Sequence, residues 1–295
     1  MKGGLGRRVA APIAAAAMIA GALGAPTASS QVSTDLPSLT LEQLLDIANV
    51  DAPPPGIGLE LHMDFPVENP LVLGGAAFNA ITAVINPDHS VEMQSAVAAG
   101  ISEGGAQAEE CADPTFVPTG RSWSAQDMPV VWRFRRSSTP AENSIYVTQR
   151  ALRTAHGVWP TSNSRCTNRD SIDFAYEFAG LTGKTVKYDH VNIVEFGALG
   201  SGALAINYTW FSGTRILETD LRFNRTDYGW TNKPGGDKKY QVVNVAAHEL
   251  GHQVGLDDLS DPHGGLTMFG RISRGEVKKT TLGSGDLRGA GRLSP

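Results

Sequence analysis

Between residues 57 and 65 the chain alternates. Ile57, Leu59, Leu61, Met63 and Phe65 are apolar, and Gly58, Glu60, His62 and Asp64 stand between them. A period of two predicts a strand with one buried face and one solvated face. A short capped helix is expected before it, over Thr40 to Ile47, and Pro53-Pro54-Pro55 closes that helix. After it, the apolar run Ala80 to Ile85 meets the turn sequence Asn86-Pro87-Asp88-His89, and Val91 to Gln94 follows. That arrangement predicts a β-hairpin. Residues 31–97 therefore read as a small β-rich region. Residues 98–110, rich in Ala, Gly and Glu, read as a linker.

From residue 111 the pattern is mixed. Met128 to Phe134 predicts a strand, and Ala151, Leu152, Ala155, Val158 and Trp159 mark one stripe of a helix within residues 140–159. Strands are expected over Ser171 to Phe178, Val191 to Phe196, Ala203 to Phe211 and Ile216 to Phe223. A second helix is expected over Val242 to Gly255. Strand, helix, several strands and a helix predict a mixed sheet with helices against it, an α+β or α/β chain.

Composition changes this picture only at the ends and the cysteines. The chain is 41% hydrophobic and 19% charged with a formal charge of −5, which suits a globular core and gives no basic footprint for nucleic acid. Lys2, Arg7 and Arg8 precede an apolar run from Val9 to Leu23, with small residues up to Ser30. This is the pattern of a secretory signal peptide over residues 1–30, too short and too interrupted for a spanning helix. A secreted, extracellular chain without stable membrane insertion is the expectation, and a monomer is favoured. In an oxidising compartment the two cysteines, Cys111 and Cys166, are expected to pair. Closing that loop would stabilise the fold by about 4 kcal/mol on the chain-entropy account.

The chemistry concentrates in HELGHQVGLDDLSDPHGGLTM, residues 248–268. His248 and His252 are four residues apart, so a helix puts both imidazoles on one face, where they can reach one metal ion. Glu249 lies beside them, placed to take a proton from a water activated at the metal. Gly255 can end the helix in a left-handed conformation and let the chain fold back, bringing Asp258 to the ion as a third ligand. Three protein ligands leave one position open, as catalytic zinc sites do. Asp257 and His263 are rival third ligands. Glu60, His62 and Asp64 could also cap such an ion, but a solvated strand face is the expectation for them.

HELGHQVGLDD resembles the long zinc signature of the metzincins in its aspartate-ended, snapalysin-type form, and Leu266-Thr267-Met268 resembles their Met-turn. Ile216 to Asn224 and Thr281 to Gly289 resemble the strand before the active-site helix and the closing helix of matrixins. The resemblance covers about residues 111–295 and implies a metzincin-like mixed twisted sheet, α+β, with an active-site helix and Met-turn. It also implies a zinc-dependent endopeptidase acting on protein or peptide substrates. His248, His252 and Asp258 would bind one catalytic zinc, and Glu249 would be the general base. Met268 would support the site, and Asp286 would hold the Met-turn by hydrogen bonds. Substrate would pair with an edge strand near Ala203–Thr209. Phe269-Gly270 follow the methionine, so the tyrosine that assists some metzincins is missing. Cys111 lacks the Pro-Arg-Cys-Gly setting of a cysteine that binds the zinc in latent relatives. No histidine cluster for a structural zinc precedes the helix, and calcium is left open. The other reading is a secreted zinc-binding protein on the same fold, with weak or no catalysis. Residues 31–110 have no counterpart in the resemblance, and a propeptide or an accessory module both fit them.

Overall fold

The computed structural model describes residues 36, 38–100, 109–167, 172–234 and 238–295. The expected signal segment and most of the expected linker lie outside the described residues.

The first helix, α1 (Leu41–Ala48), starts because Thr40 and Gln43 cap each other. The Gln43 amide donates to Thr40 Oγ1 at 3.2 Å, and the Thr40 amide donates to Gln43 Oε1 at 2.8 Å. Four strands follow: β1 (Gly58–Asp64), β2 (Leu71–Leu73), β3 (Ala76–Ile85) and β4 (Val91–Ala98). Then come β5 (Val130–Phe134), α2 (Ile145–Val158), β6 (Tyr176–Leu181), β7 (Asn192–Gly197), β8 (Ala205–Ser212) and β9 (Arg215–Asn224). The short pair β10 (Trp230–Thr231) and β11 (Tyr240–Gln241) leads into α3 (Val242–Val254), and α4 (Ser284–Leu293) closes the chain. The sixth strand lies further along the chain than the expected Ser171 to Phe178. Ile172 and Phe174 pack into the core ahead of the ladder instead of joining it.

The fold is α+β. Nine strands form one mixed sheet, in the order β2-β3-β1-β8-β9-β7-β5-β6, with β4 also pairing β3. The strands before residue 98 continue this sheet and form no sheet of their own. Strand β1 runs antiparallel to β3 on one side and to β8 on the other, from Gly58 opposite Phe211 to Asp64 opposite Ala205. Strand β8 therefore has a partner on each side, β1 and β9, and is not the edge strand expected of it.

Two apolar cores lie on the sheet. One joins β5, β7 and β9 to α2 and α3 through Trp132, Phe134, Leu152, Trp159, Phe223, Val245 and Leu250. The other joins α1, β1, β3 and β8 through Leu44, Ile47, Leu59, Leu61, Ile81, Tyr208 and Trp210. Every residue of β1 is buried. Its apolar face fills the second core. Its polar face, expected in water, is covered as well, because α3 and the turn after it supply buried polar partners for Asp64 and His62, while Glu60 meets His62 and Arg121. Cys111 and Cys166 are joined by a disulfide with their Cα atoms 5.2 Å apart.

Candidate metal centre

Helix α3 carries the first part of the site. His248, Glu249 and His252 are each at most 1% exposed. The helix stops at Gly255, whose φ of 105° is left-handed. A side chain there would also collide with the Arg121 carbonyl, with its Cβ 2.5 Å from the oxygen. The chain then doubles back. The Leu259 amide donates to the Met268 carbonyl at 2.8 Å, and the Gly270 amide donates to the Leu259 carbonyl at 2.9 Å. This clasp holds Asp258 against the helix. Its Oδ1 is 3.2 Å from His248 Nε2, and its Oδ2 is 3.8 Å from His252 Nε2.

Both imidazoles are oriented by backbone. His248 Nδ1 lies 2.7 Å from the Thr267 carbonyl, and His252 Nδ1 lies 2.8 Å from the Leu256 carbonyl. A carbonyl only accepts, so each Nδ1 carries a hydrogen, and each Nε2 faces Asp258 and is the nitrogen left to bind a metal. That is the outer support a metal-bound histidine needs. The residues pass a second test of fit. The Nε2 atoms of His248 and His252, both Asp258 oxygens and both Glu249 oxygens are buried without a hydrogen-bond partner. Buried polar groups are rarely left this way unless something else satisfies them, and a divalent cation among two imidazoles and a carboxylate does so.

Beneath the cluster, Met268 packs under Gly251, the small residue between the two histidines. A Cβ on Gly251 would overlap Met268 Sδ and come within 2.7 Å of Trp159 Cζ2. Asp286 at the start of α4 accepts from the amides of Thr267 at 2.8 Å, Met268 at 3.2 Å and Gly283 at 2.8 Å. The Thr267 carbonyl then meets His248. Buried Lys279 donates to the same carbonyl at 3.0 Å and also to the Phe269 carbonyl. No spacing rule in the sequence singles out Lys279.

The other two residues weighed as third ligands lie elsewhere. His263 is paired with Asp113 at 2.7 Å. Asp257 Oδ1 accepts from Thr82 Oγ1 at 2.7 Å and from the Asp258 amide at 2.9 Å. Strand β1, by contrast, brings two residues to the cluster. Asp64 Oδ2 is 3.1 Å from His248 Nε2. His62 stacks on His252 with ring centres 4.0 Å apart. The ligand atoms of Asp64, His248 and His252 lie within 4.8 Å of one another, and so do those of His62, His252 and Asp258. The alternation of Glu60, His62 and Asp64 is the sequence signal for this, but its partners are found only some 180 residues later in the chain.

Protons show the same crowding. Burial raises the Glu249 carboxyl well above its usual range, and Asp64 beside it adds to the effect. Burial and Asp64 together raise Asp258 to about 6. Burial and the Lys279 ammonium press His248 down, but the carboxylates of Asp64 and Asp258 lift it to about 9. Burial, with His62 and His248 nearby, lowers His252. Without a cation, the cluster balances its charge by holding protons that a dication would displace.

Two histidines one helical turn apart, a carboxylate returned by a glycine-ended turn and a methionine floor define an HExxH metal centre on an α+β sheet. The family model described as Matrixin matches residues 122–293, and the chain belongs to this family of zinc-dependent metallopeptidases. No curated protein matches the chain.

Proposed function

We propose that this protein is a secreted zinc-dependent endopeptidase whose ligands are His248, His252 and Asp258 and whose general base is Glu249. The observation that carries the reading is Glu249 itself. It is fully buried one residue from a metal-binding histidine, and neither of its oxygens has a hydrogen-bond partner. A structural site has no use for such a carboxylate. Zinc bound by the three ligands supplies Lewis acidity toward a scissile carbonyl and acidifies an attacking water. The chain supplies the rest. Glu249 accepts the proton of that water and returns it to the departing amine. The Thr267 and Leu256 carbonyls keep the two imidazoles in the required tautomer. Secretion rests on the basic, apolar and small-residue pattern of residues 1–30. Among the described residues no helix is long and apolar enough to cross a membrane.

The second reading is a zinc-binding protein with little catalysis. The observation in its favour is the seating of β1 along β8, which covers the cluster. One experiment separates the two. The secreted chain is assayed for bound zinc and for cleavage of a quenched peptide library, with and without chelator, beside Glu249→Ala. The first reading expects one zinc, chelator-sensitive turnover before or after limited proteolysis, and loss of that turnover in Glu249→Ala with zinc retained. Equal turnover in the variant refutes it. One zinc with no turnover, including after limited proteolysis, favours the second reading.

A further inference from the structure

We infer that Asp64 is a fourth protein ligand of this metal centre, delivered by strand β1, so that the centre is closed to water while β1 sits on β8. The inference rests on the zinc reading above and adds a ligand to it.

Three observations carry it. Asp64 Oδ2 approaches His248 Nε2 at 3.1 Å, almost the same separation as the Asp258 oxygen at 3.2 Å. Two carboxylates thus converge on one imidazole nitrogen. Next, both Asp64 oxygens are buried and lack hydrogen-bond partners. An ionised carboxylate left so in the interior is costly unless a cation neutralises it. Third, the neighbouring candidate His62 lies with both ring nitrogens against other side chains. Its Nε2 faces Glu60 Oε1 at 2.7 Å, and its Nδ1 faces Thr82 Oγ1 at 3.1 Å and Asp257 Oδ1 at 3.6 Å. His62 is thereby committed to stacking on His252, and Asp64 is left for the ion.

The topology decides how firmly this ligand is held. A loose peptide in a groove touches the protein on one edge. Strand β1 is paired on both edges, to β8 and to β3, and buried on both faces. Glu60 is additionally tied to Arg121, which precedes the region of strand β5. Its other face shares a core with Tyr208 and Trp210 of β8, each at most 1% exposed. Withdrawing Asp64 therefore means parting the sheet between β1 and β8. That exposes the apolar face of β8. The closing ligand is part of the architecture, and the centre opens only when the sheet does.

The test uses the full secreted chain loaded with Co(II) in place of zinc, together with Asp64→Ala and Asp64→Asn. A centre with four protein ligands has no ionisable water, so the wild-type visible spectrum should stay constant from pH 6.5 to 9. Asp64→Ala admits water, and its spectrum should change with pH. Zinc affinity by chelator competition should fall roughly tenfold or more in both variants. Asp64→Asn keeps the side chain's shape and guards against a folding failure in the alanine variant. If the wild type binds one zinc, but its Co(II) spectrum titrates or matches that of both variants with unchanged affinity, the Asp64 assignment is overturned and the zinc reading stands. If the wild type binds no zinc, the zinc reading itself fails.

Discussion

Replacing Asp286 tests how the floor of the metal centre is held. The carboxylate is buried and accepts three backbone N–H bonds, from Thr267, Met268 and Gly283. Asp286→Ala strands three buried donors. Each costs about 1–3 kcal/mol when left unsatisfied, and partial relaxation makes about 3–5 kcal/mol a reasonable total. That is a large part of the about 5–15 kcal/mol that holds a domain folded, and it should lower the midpoint of thermal unfolding by on the order of 10 °C. Asp286→Asn keeps one oxygen and turns an amide NH₂ toward at least one donor, so it should lose about 1–3 kcal/mol. The Thr267 carbonyl orients His248, so zinc affinity should fall about 10–100-fold in the alanine variant. Urea unfolding of wild type, Asn and Ala, each with zinc and with chelator, gives the series. Asp286 makes its bonds to the chain and not to the ion, so the order should persist without metal. An alanine variant within about 1 kcal/mol of wild type would refute the reasoning.

Two further outcomes follow from other parts of the molecule. Gly251→Ala drives a methyl into Met268 Sδ and Trp159, and should cost about 1–3 kcal/mol by urea unfolding while also weakening zinc binding; unchanged stability would show that the methionine floor is soft. Glu218 on β9 is buried, and although the amides of Asp189 and His190 favour its charged form, burial pushes it up from about 4.5 to about 7. Its folded-state value lies above the unfolded one, so its contribution is fully present below about pH 4.5 and is lost as the pH rises through about 7. The limit is about 3 kcal/mol, and Glu218→Gln should flatten the difference in urea midpoint between pH 5.5 and pH 8.5 relative to wild type; equal slopes for the two proteins would refute it.

The sequence is readable where the information is local. Thr40 and Gln43 announce α1, Gly255 announces the end of α3, and the four-residue step of His248 and His252 announces a shared face. The burial of β1 was not legible, for a physical reason. Alternation reports that one face of a strand is apolar, and it assigns the polar face to water by default. His62 and Asp64 escape that default because Asp257, His248 and His252, far along the chain, offer them charge and ring contacts, and Glu60 escapes it through Arg121. Strand β8 carries the same lesson. Its own residues specify a strand, but whether it lies at an edge depends on whether another segment pairs with it. The start of β6 is not legible either, because Ile172 and Phe174 have the apolar character of a strand while their contacts are with the core, ahead of the ladder.

The pairing of β1 with β8 also imposes an order of assembly. Strand β1 and its hairpin neighbours β3 and β4 are close in sequence and leave the ribosome early, whereas β8 and α3 follow after most of the chain has been made. Pairings of such long sequence separation form slowly. Until they form, the early strands present an unpaired edge and a row of uncovered acids and imidazole. The β8–β9 hairpin has its own local partner, so the long-range step of assembly joins a part of the chain outside the family match to a part within it.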